Sequence, residues 1–300
     1  MFRRTLLASV GAIALTGSAA FAADLPSRAP PPVYLPPPPL WTGLYVGINA
    51  GYTWSNNKTV DTTAVPLFAA PTFATELTLS SALATTSVPV SNSGFIGGGQ
   101  IGYNYQFANS FVAGIEADIQ GLAGSNGTGT VFGSGVPVGF PNETITSTVS
   151  ASKRIDYIGT VRGRLGFTIT PTLLVYGTGG LAYGGLNSSV AINQQNLAVP
   201  VANFSTPFSS FGSLFNSRVG WTAGGGVEWL FAPNWSVKAE YLYYDLGSTT
   251  FALSPLTNTF TTGGVAWSSS PFAKTRFTGN IVRAGLDYHF TFPAPVVAKY

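Results

Sequence analysis

Three constellations in this 300-residue chain have the residue types of a chemical site. Gly97–Gly98–Gly99–Gln100–Ile101–Gly102 matches the dinucleotide fingerprint letter by letter. That fingerprint works only where a strand turns into a helix, so that backbone N–H groups meet a pyrophosphate. Here Tyr103–Asn104–Tyr105–Gln106–Phe107 continues a two-residue alternation, so the glycines read as packing positions inside a strand. Glu116 and Asp118 share one strand face and have the spacing of paired carboxylates, but interior salt bridges are their expected use. His289 is the single histidine, and a lone His serves more often as hydrogen-bonded filler than as a ligand. The absence of Cys excludes disulfides, thiolate zinc sites, iron–sulfur clusters and a Cys nucleophile. No Gly-x-Ser-x-Gly elbow, phosphate loop or calcium loop occurs. Asn57–Lys58–Thr59 and Asn126–Gly127–Thr128 match the glycosylation sequon and read as accidents of Ser/Thr/Asn-rich loops. The expectation is a protein that is not an enzyme, with no catalytic residue, cofactor or metal site.

The wider composition asks which solvent the chain is built for. Only 8% of the residues are charged and the mean hydropathy is +0.26, whereas an ordinary soluble domain is roughly a quarter charged. Residues 1–22 have a positive start at Arg3 and Arg4, a short apolar stretch and an Ala20–Phe21–Ala22 cleavage pattern, as in a secretory signal peptide. Without Arg3 and Arg4 the chain holds 12 bases and 11 acids, so its basic character does not mark a nucleic-acid surface. A Pro-rich lead-in follows over 23–40 and reads as an extended spacer on the periplasmic side.

After Leu40 no apolar run is long enough for a transmembrane helix, and a period of two recurs instead. Eight stretches show it, at roughly 42–54, 94–107, 111–121, 153–168, 172–185, 217–231, 235–246 and 276–290. Short turns near Ala108–Asn109, Thr170–Pro171 and Pro233–Asn234 alternate with long connections over 55–93, 122–152, 186–216 and 247–275. This is the layout of an all-β, eight-stranded antiparallel up-and-down transmembrane β-barrel spanning residues 41–290, with a C-terminal tail over 291–300. Some alternation persists over 72–90 (Phe73, Leu77, Leu79, Leu83), which predicts strands projecting beyond the membrane.

One face of these stretches carries six acids, Glu116, Asp118, Asp156, Glu228, Glu240 and Asp287, and six bases, Arg154, Arg162, Arg164, Arg218, Lys238 and Arg283. The opposite face is apolar and aromatic, with Lys153, Asp245 and Arg276 only at the long-loop rim. That asymmetry predicts an exterior in lipid and a lumen holding an ion-pair network of those twelve residues. Eight strands leave an interior only wide enough for side chains, so the network reads as filler. The sharper alternative is a gated, ion-permeable path.

Trp41–Thr42–Gly43–Leu44–Tyr45–Val46–Gly47, the Gly97–Tyr105 stretch and Val282–Arg283–Ala284–Gly285–Leu286–Asp287–Tyr288–His289–Phe290 resemble the alphaproteobacterial outer-membrane β-barrel family. That family takes in the RopB-like and immunogenic outer-membrane proteins, often labelled porin family, with barrels of the OmpA/OmpX type. The resemblance covers about 41–290 and implies the cell outer membrane of a Gram-negative bacterium, insertion by the barrel-assembly machinery and a role in envelope integrity. It also implies, as alternatives, a narrow low-conductance porin or loop-borne binding of haem or a host molecule. Lipid and lipopolysaccharide are the expected partners, with no nucleic acid, and the barrel is expected to be monomeric. In the family the assembly signal ends the chain at an aromatic. Here Thr291–Tyr300 follows Phe290, so either Phe290 or Tyr300 is that residue; the alternation favours Phe290.

Overall fold

The computed structural model describes residues 40–290 apart from 109, 125 and 199–206. The expected signal segment 1–22, the lead-in up to residue 39, Asn109 of the first short turn and the tail 291–300 lie outside the described residues. The elements in chain order are β1 (Gly43–Ser55), β2 (Thr59–Ala69), α1 (Ala74–Ala84), β3 (Thr86–Pro89), β4 (Ser93–Phe107), β5 (Phe111–Ala123) and β6 (Gly127–Gly135). They continue as β7 (Glu143–Thr170), β8 (Leu173–Ala198), β9 (Phe208–Ala232), β10 (Trp235–Ala252), β11 (Leu256–Thr259) and β12 (Val265–His289).

Eight of these strands close a ring in the order β1-β4-β5-β7-β8-β9-β10-β12, with β12 pairing back onto β1 from Tyr45↔His289 to Ser55↔Gly279. Every ring pairing is antiparallel. The expected eight-stranded barrel is therefore the fold, and closure removes the sheet edges that would template aggregation. Within the ring the pleat sorts side chains as the alternation predicts. Ile48 and Leu165 point outward and are 67% and 68% exposed, while Asn49, Gln100 and Glu116 point inward and are buried. Outward aromatics gather toward the short turns, where Phe107, Phe111 and Phe167 contact one another and Trp235, Tyr288 and Phe290 do the same. An outward apolar band edged by aromatic rings suits a hydrocarbon layer between two interfaces.

The long connections are not bare loops. β7, β8, β9 and β12 run 25 to 28 residues, about twice the 13 of β1 and β5. They continue beyond the ring as an extension in which β2 pairs with β12, β3 with β2, β6 with β7 and β11 with β12. The extension has its own apolar core, including Val60, Ile145, Val149, Ile192, Phe208 and Trp267.

Within residues 72–90 the strand expectation holds for β3, Thr86–Pro89, and fails for the segment before it. Residues 74–84 form α1, whose buried positions Glu76, Leu77, Ser80, Ser81 and Ala84 follow helical spacing. Phe73, Leu77, Leu79 and Leu83 are all odd-numbered, so they imitated a period of two. The helix is pinned to β8 by Ser80 Oγ donating to Gln194 Oε1 at 2.6 Å and Gln194 Nε2 donating to the Ser80 carbonyl at 2.9 Å.

A β-bulge on β7, where the register shifts between Ile155 and Tyr157, corrects part of the expected sidedness. Below it the even residues Ile158, Thr160, Arg162 and Arg164 face inward; above it the odd residues Val149, Ala151, Lys153 and Ile155 do. One extra residue in a strand exchanges its two faces. Lys153, expected on the outer rim, is therefore buried inside, and Arg154 is outside. On β10 the register shifts between Asp245 and Ser248, and Asp245 is buried against Arg276, Nη2 to Oδ2 2.5 Å.

Candidate functional site: a charged lumen between apolar layers

The interior is layered along the barrel axis. At the short-turn end Trp41, Val112, Leu174, Tyr176 and Leu230 form an apolar floor. Trp41 donates its Nε1–H to the Pro171 carbonyl at 3.0 Å and sets its ring edge-on to His289. Ser236 Oγ lies 2.8 Å from His289 Nε2 and donates to Glu228 Oε1 at 2.7 Å. These three residue types also occur in hydrolase triads, but here Glu228 and Ser236 are fully buried and one ring nitrogen faces both partners.

Above the floor lies the charged layer. The Arg162 fork reaches three carboxylates: Nη2 to Glu116 Oε1 at 2.5 Å, Nη2 to Asp118 Oδ2 at 2.9 Å and Nη1 to Glu240 Oε1 at 2.8 Å. Arg283 Nη2 bridges Asp118 Oδ2 at 2.9 Å and Glu240 Oε2 at 2.5 Å. Arg164 Nη2 holds Glu228 Oε2 at 2.6 Å, and its guanidinium carbon lies 3.9 Å from the centre of the Tyr176 ring. Lys238 Nζ sits 2.6 Å from Glu116 Oε2 and 3.7 Å from Asp287 Oδ2. Gln100 donates to Asp287 and accepts from Asn49 Nδ2. These charges are buried among one another, where a carboxylate is tolerable only with such partners.

Nine of the twelve expected lumen residues thus come together: Glu116, Asp118, Arg162, Arg164, Glu228, Lys238, Glu240, Arg283 and Asp287. Arg154, Asp156 and Arg218 do not. Arg154 and Asp156 pair with each other at 2.6 Å outside the barrel, because the β7 bulge turns them away. Arg218 lies ten residues from Glu228 along β9, about 33 Å of strand, and donates to the Ser248 carbonyl at 2.8 Å instead.

Sequence reasoning missed Tyr45, which donates to Glu116 Oε2 at 2.7 Å and accepts from Arg164 Nη1 at 2.9 Å. Its parity with Asn49 was the available signal. The fingerprint-like glycines find their use here as well. A methyl on Gly98 would fall 1.9 Å from the Ile119 carbonyl oxygen, and one on Gly102 would fall 2.3 Å from the Tyr45 ring. Gly98 lets the backbone of β5 come close, and Gly102 makes room for the Tyr45 ring.

A second apolar layer, including Ile96, Ile158, Leu186, Leu242, Tyr244 and Phe277, covers the charges. Lys153 stands beyond it, above the ring. Its Nζ donates to the carbonyl of Arg276 at 2.5 Å, the carbonyl of Asn57 at 3.1 Å and Asn57 Oδ1 at 3.2 Å, and lies 4.7 Å from the centre of the Phe277 ring. Among the described residues no carboxylate offsets its burial, which pulls its pKa down to about 8. The core of the extension closes the stack.

A closed antiparallel ring, apolar outside and charged within, defines an integral membrane β-barrel. The chain belongs to the family described as outer membrane protein beta-barrel domain, whose model matches residues 10–290. It is 33% identical over 295 residues to the 31 kDa outer-membrane immunogenic protein of Brucella melitensis, covering 96% of this chain and 100% of that one. The 25 kDa outer-membrane immunogenic protein of Brucella abortus is 28% identical over 261 residues, 85% of this chain and 91% of its own. A 22 kDa outer membrane protein of Rhizobium leguminosarum is 28% identical over 158 residues, 52% of this chain and 56% of its own. The protein is an outer-membrane β-barrel of an immunogenic outer-membrane family, from a Gram-negative lineage.

Proposed function

We propose that the protein is a sealed, monomeric barrel that supports the envelope and presents its extension at the cell surface, without catalysis. The observation that carries this reading is the stack of buried layers: floor, ion-pair network, second apolar layer and extension core. An ion crossing it would meet three apolar layers and a layer of charges held in ion pairs. The closed ring, with no open strand edge in the apolar band, supports a monomer. An even number of ring strands puts the start of β1 and the end of β12 beside the short turns, which in such barrels face the periplasm. Phe290 supports the assembly-signal reading, since it ends the pairing by donating to the Leu44 carbonyl at 2.8 Å and turns its ring outward against Tyr288.

Single-channel recording on refolded protein tests the seal. The expected record is flat. A steady conductance removed by Glu116→Gln or Arg162→Gln would overturn the reading in favour of a narrow porin. On intact cells, a cysteine replacing Phe260 should react with an impermeant label and one replacing Asn234 should not. The reverse pattern would invert the orientation.

A further inference from the structure

The bulge that reverses β7 also opens its flank. Below the bulge β7 pairs with β5, ending at Tyr157 opposite Gly121; above it β6 takes over at Lys153 opposite Gly127. Among the described residues, nothing pairs with 154–156 on that side. The outer surface sinks there into a hollow of about 340 Å3 lined by Asn126, Gly127, Thr128, Ser152, Lys153, Arg154 and Asn187.

The hollow's height and chemistry point to one occupant. β7 and β8 stay paired, across the bulge, from the lipid-facing pair Val161 and Leu181, past the interfacial rings Tyr157 and Tyr183, to Arg154 opposite Asn187. A lipid lying against Val161 and Leu181 therefore brings its headgroup to the hollow. Arg154 is 46% exposed, and its Nε lies 2.6 Å from Asp156 Oδ1. Among the described residues no side-chain hydrogen bond from its Nη groups is seen. Above the hollow the outward positions of β6, β7 and β8 hold no charge. Next to the hollow they carry hydroxyl and amide side chains, with Thr130 bonded to Ser150 at 3.1 Å and Ser152 to Ser189 at 2.7 Å, while farther up they include the exposed Phe132 and Leu197. Arg154 is the exposed cation of the hollow, since the Lys153 ammonium is turned inward to Asn57 and Arg276, and a cation beside hydroxyl and amide side chains matches a phosphate attached to sugars.

We propose that this hollow binds the phosphorylated sugar headgroup of a glycolipid in the surrounding leaflet. The Arg154 Nη groups take the phosphate, and Asn126, Thr128 and Asn187 take the sugar hydroxyls. The inference rests on the orientation proposed above, but its test does not, because binding is read in detergent. Refolded protein is titrated in micelles with purified lipopolysaccharide, and folding of each variant is checked by its heat-modifiable gel migration. Wild type should saturate. Arg154→Gln should weaken binding about tenfold, the scale of a lost charge-assisted hydrogen bond. Asn187→Tyr, which fills the hollow, should abolish binding, with Thr128→Leu standing in if that variant does not fold. Dephosphorylated lipopolysaccharide should bind wild type and Arg154→Gln alike. The proposal is overturned if the variants titrate as wild type, or if phosphatidylglycerol competes as well as lipopolysaccharide.

Discussion

Arg162 is the residue on which the charged layer turns, because its fork meets Glu116, Asp118 and Glu240 at once. Replacing a guanidinium by a neutral chain of similar length leaves those carboxylates buried with fewer partners. Arg162→Met should therefore destabilise the barrel by about 3–5 kcal/mol, read as a lower urea midpoint for loss of the heat-modifiable band. The glycines make a matched comparison. Gly98 faces inward, and a methyl there meets backbone at 1.9 Å; Gly179 faces outward, and a methyl there finds its nearest atom at 3.6 Å. Gly98→Ala should fail to fold or fold poorly while Gly179→Ala migrates as wild type. At this scale the sequence was informative wherever parity alone decides direction. It gave Glu116, Asp118 and Glu240 their inward positions, but it could not give Tyr45 its two partners, because those lie on β5 and β7 and depend on register across the ring.

Elements were legible where the two faces of a strand meet different solvents. In the ring, lipid outside and paired charge inside impose an unmistakable alternation on β1, β4, β5 and β10. Above the ring the inner face becomes apolar while the outer face of β7 turns to Ser and Thr, the opposite sense, and the β7 bulge shifts parity at the same level. The two changes hid the continuation of β7 up to Glu143. α1 was misread for a different reason: its buried face mixes Glu76, Ser80 and Ser81 with Leu77 and Ala84, so it shows little apolar periodicity. The bulge also sets a measurable electrostatic cost, because it buries Lys153. The folded pKa near 8 lies below the unfolded 10.5, so unfolding takes up a proton between those values and stability rises with pH across that window. The penalty is present in full below pH 8 and is relieved by about 3 kcal/mol toward pH 10.5. Urea midpoints for wild type should climb over this range relative to Lys153→Met, and equal slopes would refute the assignment.

The whole molecule joins two structures end to end on shared strands. The ring answers to lipid, and its interior is polar; the extension answers to water, and its interior is apolar. β7, β8, β9, β10 and β12 belong to both, whereas β1, β4 and β5 stop at the rim and hand their places to β2, β3 and β6. The low charge content is therefore uneven: it comes from a surface given to hydrocarbon, with the remaining charges concentrated in the lumen and at the rim.

The inversion sorts the six tryptophans into two optical populations. Trp221, Trp229 and Trp235 look outward from the ring and Trp54 lies half-buried at its rim, while Trp41 and Trp267 are sealed inside opposite ends of the stack. In bilayers of brominated lipid, fluorescence should fall sharply yet keep a blue-shifted, unquenched remainder. That remainder should resist aqueous iodide too, and lose its two components separately in Trp41→Phe and Trp267→Phe. Complete quenching by either reagent would mean that the ends are open.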